Sequence, residues 1–176
     1  MIKLSRRAAA AAATLLAAGA GSLTWAATSA SAAPASYIPR CAPTDLAVWV
    51  NSESSNGAAG TIYYHLDYTN VSGHTCHLYS WPGVSALNGA RKQLGAAAQR
   101  TGSAPAVYVN IPANGTAHSM LGYTDVQVTP ACKPAAATYL RVFPPDDTQA
   151  RNAFFPLSVC TTSTPDLKVG RVQPGA

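Results

Sequence analysis

Charged side chains are scarce in this sequence of 176 residues, where Asp, Glu, Lys and Arg together make up 11%. Three of the 12 basic residues, Lys3, Arg6 and Arg7, lie in the first seven positions. The rest of the sequence contains nine basic and seven acidic residues, which gives it a net charge of +2. So small a positive excess excludes a strongly basic nucleic-acid-binding protein. The seven carboxylates also offer few pairs for the acid–base site of a glycosidase.

Several catalytic and metal-binding patterns are absent. No two cysteines are separated by only two residues, as in Cys-x-x-Cys, so the usual spacing of a structural zinc site is missing. The segment Gly83-Val84-Ser85-Ala86-Leu87 begins like a nucleophile elbow, but Leu87 stands where the closing glycine is needed. The sequence therefore predicts no enzyme, no catalytic residues and no cofactor. A hydrolase stays an alternative, because Ser, His and Asp are all present.

The N-terminus carries the pattern of a secretory signal. Met1–Arg7 is positively charged, Ala8–Gly19 is apolar, and small residues lead to Ala30-Ser31-Ala32. We expect cleavage after Ala32 by the general secretory route, with twin-arginine export through Arg6-Arg7 as an alternative. An uncleaved membrane anchor over Ala8–Ala27 is the other alternative.

These boundaries predict a signal peptide at 1–32, a short lead-in at 33–40, and one domain at 41–176. We expect no membrane span after cleavage. The predicted location is extracellular, either free or associated with the cell wall.

All four cysteines lie after the predicted signal peptide, and an even count in an exported chain indicates two disulfides. Cys41 precedes a predicted strand and Cys76 follows the next one, so antiparallel pairing brings the two together. The same argument joins Cys132 to Cys160. We therefore predict Cys41–Cys76 and Cys132–Cys160, while crossed pairings such as Cys41–Cys160 stay open.

Short alternating segments separated by Gly, Pro, Asn and Ser turns indicate β-strands. In Thr61–Thr69, for example, Leu66 and Tyr68 fall on one face and His65 and Asp67 on the other. Seven to nine short strands with no helical period predict an all-β fold, an antiparallel sandwich or barrel. The clearest strands are Leu46–Val50, Thr61–Thr69, Val84–Leu87, Ala106–Ile111, Thr116–Tyr123, Thr138–Phe143, Phe154–Val159 and Leu167–Val172.

A set of turn and cysteine motifs resembles the actinobacterial exported family DUF4232, a domain of unknown function. The resemblance covers Cys41–Val172 and rests on a combination of short motifs: Cys41, Gly57-Ala58-Ala59-Gly60, Asn70-Val71-Ser72, Cys76-His77-Leu78, Pro82-Gly83-Val84, Asn114-Gly115-Thr116-Ala117, Cys132, Leu140-Arg141-Val142-Phe143-Pro144-Pro145 and Cys160.

The resemblance implies an immunoglobulin-like β-sandwich outside the membrane and implies no activity. Its matched residues belong to the framework of the fold. The family usually has Gly and Tyr before Pro82-Gly83, where this chain has Ser80 and Trp81. Serine lacks the backbone freedom of glycine at such a turn.

His118 and Met120 lie two residues apart, on one face of a predicted strand, and offer an imidazole and a thioether to copper(I). His65 joins them if its strand neighbours theirs. This set defines the alternative of a small-ligand or copper(I) carrier. The simpler interpretation makes these residues solvent-facing strand positions, as it does for the pair His65 and Asp67, so the main prediction includes no metal site.

Aromatic residues supply the remaining candidates. Trp49 stands between apolar neighbours and is expected in the core, while Trp81, beside Pro82, is the candidate surface aromatic. A rigid loop at Pro130–Pro134 suggests a protease inhibitor as a further alternative, although Pro134 after Lys133 disfavours docking to most serine proteases. We predict an exported, non-catalytic binding or structural module whose partner is an unknown protein or glycan of the cell envelope.

Overall fold

A computed structural model describes residues 37–162 and 164–175. The predicted signal peptide at 1–32 lies outside the described residues. Within these two described ranges, two short 3-10 helices, Pro43–Asp45 and Val126–Val128, accompany eleven strands. The strands are β1 (Leu46–Ala58), β2 (Thr61–Asn70), β3 (Cys76–Tyr79), β4 (Gly83–Leu87), β5 (Gln93–Leu94), β6 (Gln99–Arg100), β7 (Tyr108–Ile111), β8 (Thr116–Thr124), β9 (Pro134–Phe143), β10 (Arg151–Cys160) and β11 (Leu167–Pro174).

The strands form three sheets. One has five strands in the order β1-β2-β8-β11-β6, one has four in the order β10-β9-β4-β5, and β3 pairs with β7. Every pair is antiparallel except β11 with β6. The predicted all-β antiparallel fold is confirmed. β5 and β6, at two residues each, are too short to show alternation in the sequence.

A hydrophobic core lies between the sheets. It joins Leu66 and Tyr68 of β2 to Leu140 and Val142 of β9, and all four side chains are fully buried. Burial of each such side chain contributes about 1.5–3 kcal/mol to the hydrophobic free energy of folding. The alternation of β2 therefore directs one face into the core and leaves His65 on the other.

Both predicted disulfides are confirmed. Cys41 pairs with Cys76, with their Cα atoms 4.8 Å apart, and Cys132 pairs with Cys160 at 5.2 Å. The reason is the one inferred from the sequence, since β1 pairs with β2 and β9 with β10 in antiparallel register. Each bond thus closes the open end of a strand pair.

The two strands at one lateral edge of the sandwich are irregular. β1 is the edge strand of the five-stranded sheet, and its register to β2 shifts between Asn51 and Asn56. β10 is the edge strand of the four-stranded sheet, and its register to β9 shifts between Phe154 and Leu157. Such irregularities bend a strand and redirect its side chains. Among the described residues, no helix is both long and apolar enough to cross a membrane.

Candidate functional site

The residues proposed for copper meet on the outer face of the five-stranded sheet. β2 pairs with β8, so that His65 lies opposite Met120 and Asp67 lies opposite His118. The imidazole rings of His65 and His118 stack with their centroids 4.1 Å apart and their planes 14° from parallel. The structure therefore brings the three predicted candidates together, and it adds Asp67 to them.

Asp67 is fully buried, although the sequence predicted a solvated side chain. Trp49 lies opposite it on β1 and His118 opposite it on β8, so large side chains flank it on both sides. Neither carboxylate oxygen of Asp67 has a hydrogen-bond partner among the described residues. Burial raises the pKa of this carboxyl, and His65, His118 and the nearby Asn51 side chain oppose the rise.

The stacked imidazoles do not converge on a metal ion. A ligating nitrogen directs its lone pair within the plane of its ring, at about 2.0–2.1 Å from zinc for example. Two nearly parallel rings share no such point between them. Nδ1 of His118 is also 2.6 Å from the Gly175 carbonyl oxygen. Within the described part of the chain, no three His, Cys, Asp or Glu side chains are placed to hold one ion.

Trp49 is 44% exposed, so the prediction of a core position for it was wrong. The physical reason is its register. It pairs with Asp67 on the outer face, whereas Val48 and Val50, its neighbours in β1, pack against the core. The apolar residues around Trp49 mark the inner face, and strand alternation turns the tryptophan outwards.

Trp81 lines a cavity of about 450 Å³ at one end of the sandwich. Its indole Nε1 donates a hydrogen bond to the Thr101 carbonyl oxygen, 2.9 Å away, which fixes the orientation of the ring. The other lining residues combine apolar surface with charges of both signs: Ser80, Gly83, Arg100, Phe143, Pro144, Asp146, Asp147 and Thr148. We call this site the Trp81 cavity.

Two lining residues of the Trp81 cavity have left-handed backbones without being glycine. Ser80 has φ 85° and Asp146 has φ 57°. Ser80 therefore adopts a backbone conformation that favours glycine, and glycine is the usual residue here in the family that the sequence resembles. The Ser80 carbonyl accepts a hydrogen bond from the Val172 amide at 3.0 Å. The Arg40 guanidinium donates to the Asp146 carbonyl and lies 3.7 Å from the Asp147 carboxylate. A left-handed backbone is unfavourable for serine and is better tolerated by aspartate.

A second opening, of about 390 Å³, lies at the irregular lateral edge of the sandwich and was missed by sequence analysis. Tyr64, Tyr123 and Phe155 line it, and we call it the tyrosine groove. Alternation in the sequence assigns such aromatic residues to the core. The available signal was Pro156, because a proline inside a strand indicates an edge or a bulge.

Comparison with known proteins assigns the family. The family model described as domain of unknown function DUF4232 matches residues 41–173. The chain belongs to the DUF4232 family. This match confirms the resemblance inferred from the turn and cysteine motifs. No curated protein and no solved structure showed significant similarity to the chain.

The DUF4232 match spans both disulfides, the Trp81 cavity and the tyrosine groove. The family description names no activity, so the geometry of these sites is the source of functional evidence.

Proposed function

We propose that this DUF4232 protein is an exported, non-catalytic binding module that holds an extracellular or cell-envelope protein partner in the Trp81 cavity. The observation that carries the proposal is the cavity itself. It combines an oriented indole ring with two left-handed residues, Ser80 and Asp146, that other contacts hold in place. Export is supported by the sequence of the leader and by the two disulfides.

The lining of the Trp81 cavity favours a peptide segment as the occupant. Trp81 and Phe143 offer aromatic surface, Arg100 offers a cation and Asp146 a carboxylate. A peptide presents apolar side chains together with charges of both signs, which suits such a mixed surface. Aromatic and arginine side chains are also the residues that contribute most to protein interfaces.

A catalytic role has little support in the geometry. The hydrogen bonds of the histidine rings in the described residues go to main-chain carbonyls, as His77 to Ile38 and His118 to Gly175 do. Neither histidine therefore contacts a serine or threonine hydroxyl as a general base needs to do. All four cysteines are in disulfides.

The inhibitor alternative is less well supported than the binding module. The carbonyl of Lys133 accepts hydrogen bonds from the amide and the hydroxyl of Thr161. Pro134 already belongs to β9 and lies opposite Cys160. Lys133 is thus tied to the neighbouring strand, whereas an inhibitor needs its reactive residue on a projecting loop.

A crosslinking experiment tests the proposal with the protein purified from culture medium. A photo-crosslinking residue at Thr148, on the rim of the Trp81 cavity, is exposed to envelope extract, and the products are identified by mass spectrometry. We expect one stoichiometric protein adduct. The substitution Arg100→Glu should abolish it, because it reverses the cation in the cavity. Lys92→Glu makes the same charge change at an exposed position outside the cavity and should leave the adduct intact.

Two results would overturn the proposal. One is an adduct that persists equally in Arg100→Glu and Lys92→Glu, since the Trp81 cavity then plays no part in binding. The other is turnover of a wall polymer or peptide by the purified protein, which would make it an enzyme.

A further inference from the structure

The tyrosine groove is formed by the two irregular edge strands. The β1 irregularity between Asn51 and Asn56 and the β10 irregularity between Phe154 and Leu157 bound the same opening. β1 and β10 are the neighbouring edges of the two sheets. A register shift of this kind bends its strand and leaves residues out of the regular pairing, and both shifts lie beside the groove. Bulges are common beside active sites, where they redirect side chains or end strand pairing.

Aromatic rings form the apolar part of the groove. Tyr64 of β2 and Phe155 of β10 meet edge to face, with ring centroids 5.0 Å apart, and Tyr123 of β8 lies beside them. Tyr123 and Phe155 are only partly buried, although both pack against the core. The open faces of these rings are thus available to a ligand that carries apolar C–H groups.

Short polar side chains surround the rings. Ser52, Gln127 and Ser158 line the groove and are exposed. Asp125 also lines it. Its Oδ1 accepts a hydrogen bond from the backbone N–H of Gln127 at 2.9 Å, and its second carboxylate oxygen takes no part in that bond. Hydroxyl, amide and carboxylate groups beside an aromatic surface can bind several hydroxyl groups of one ligand at once.

The charge of the groove restricts its ligand. Among the described residues, no Lys, Arg or His lines it, and Asp125 is its one charged lining residue. Burial raises the pKa of Tyr123, and Asp125, Asp166 and Tyr64 raise it further, against a hydrogen bond with the Val126 backbone. The carboxylate of Asp125 gives the groove a negative character, which disfavours phosphate, sulfate or carboxylate ligands.

We propose that the tyrosine groove binds a neutral saccharide unit, with its C–H face on the aromatic rings and its hydroxyl groups on Ser52, Asp125, Gln127 and Ser158. The volume of about 390 Å³ lies within the usual range of small-ligand pockets. The site shares no lining residue with the Trp81 cavity. It is therefore proposed as a second binding site, and its test does not depend on the outcome for the peptide site.

The test titrates the protein from culture medium with a panel of neutral oligosaccharides of glucose, galactose, mannose and N-acetylglucosamine. Ligand-observed NMR gives the dissociation constants. We expect binding of at least one member, and Gln127→Ala should raise its dissociation constant roughly three- to tenfold, the effect of one lost hydrogen bond. Ser52→Trp places a bulky ring in the groove and should abolish binding.

Matched controls separate the groove from the rest of the surface. Gln99→Ala removes an equally exposed glutamine outside the groove and should leave the dissociation constant unchanged. An anionic oligogalacturonate should not bind. The proposal is overturned if no neutral saccharide of the panel binds, if Gln127→Ala and Gln99→Ala behave alike, or if choline binds in the groove in place of the saccharides. The Thr148 crosslinking result is unaffected by any of these outcomes.

Discussion

Two regions of the molecule place a tryptophan near a carboxylate and a basic side chain, and only one of them is open. On the outer face of the five-stranded sheet, Trp49 and His118 flank Asp67, which is fully buried. At the end of the sandwich, Trp81 and Arg100 line a cavity of about 450 Å³ with Asp146 exposed. Similar side chains thus produce a closed cluster in one place and a cavity in the other.

The backbone explains the difference. Strands hold neighbouring side chains about 4.5–5.5 Å apart across a pair, close enough for large side chains to cover a small one. Ser80 and Asp146 lie in loops with left-handed backbones, where no strand pairing imposes that spacing on the side chains. An open cavity therefore depends on the left-handed turns more than on the chemistry of the residues, and the variants described next test that view.

The largest effect is expected from removal of the Cys41–Cys76 disulfide. The bond spans 35 residues, and replacing both cysteines by alanine should lower the free energy of unfolding by about 3–4 kcal/mol, as measured by denaturant titration. Arg40, next to Cys41, contacts the Asp146–Asp147 turn. Hydrogen exchange should therefore increase more at the Trp81 cavity than around Asp67.

Removal of the Cys132–Cys160 disulfide is the matched control. Its separation of 28 residues predicts a similar loss of about 3–4 kcal/mol. Neither of these cysteines adjoins Arg40 in the sequence. Equal loosening of the cavity in both double variants would show that Arg40 does not transmit the effect.

The second effect concerns the closed cluster. Asp67→Asn removes a buried carboxylate without a hydrogen-bond partner, and it should raise the free energy of unfolding at pH 7 by about 1–3 kcal/mol. Because the pKa of Asp67 is raised in the folded state, the contribution of Asp67 to stability is most favourable below the ordinary value of 3.8 and is lost as pH rises through the folded-state pKa. The advantage of the variant should therefore disappear in acid.

Glu53→Gln provides the comparison, since it removes one negative charge at an exposed position. Thermal melts of both variants between pH 3 and pH 8 give the two profiles. A loss of stability in Asp67→Asn at pH 7 would contradict the prediction and would mean that the charge of Asp67 stabilises the cluster.

Most of the fold could be predicted because it depends on local patterns. Alternation located strands such as Thr61–Thr69, and their antiparallel order was enough to pair the cysteines. β5 and β6 escaped prediction because two residues carry no period. Trp49 was misplaced because its apolar neighbours indicate the face opposite to its own.

The candidate sites were less predictable because they depend on exceptions to those patterns. Sequence analysis named His65, His118 and Met120 as neighbours, but the stacking of the rings and the burial of Asp67 depend on how adjacent strands align. The tyrosine groove depends on two strand irregularities, and the Trp81 cavity on left-handed backbones at Ser80 and Asp146. The pairing register of the strands and the backbone angles of the loops determine these features, and neither can be read from the sequence pattern.

The smallest effect is expected from Ser80→Gly, which tests the strain in the Trp81 cavity directly. A left-handed backbone costs a non-glycine residue roughly 1–2 kcal/mol, and the greater freedom of glycine in the unfolded chain offsets about 0.5–1 kcal/mol of the relief. The variant should therefore be more stable by up to about 1.5 kcal/mol. Ser158→Gly, in strand β10, should instead be destabilised. If Ser80→Gly also loses stability, then the Ser80 turn is unstrained, and the openness of the Trp81 cavity requires another cause.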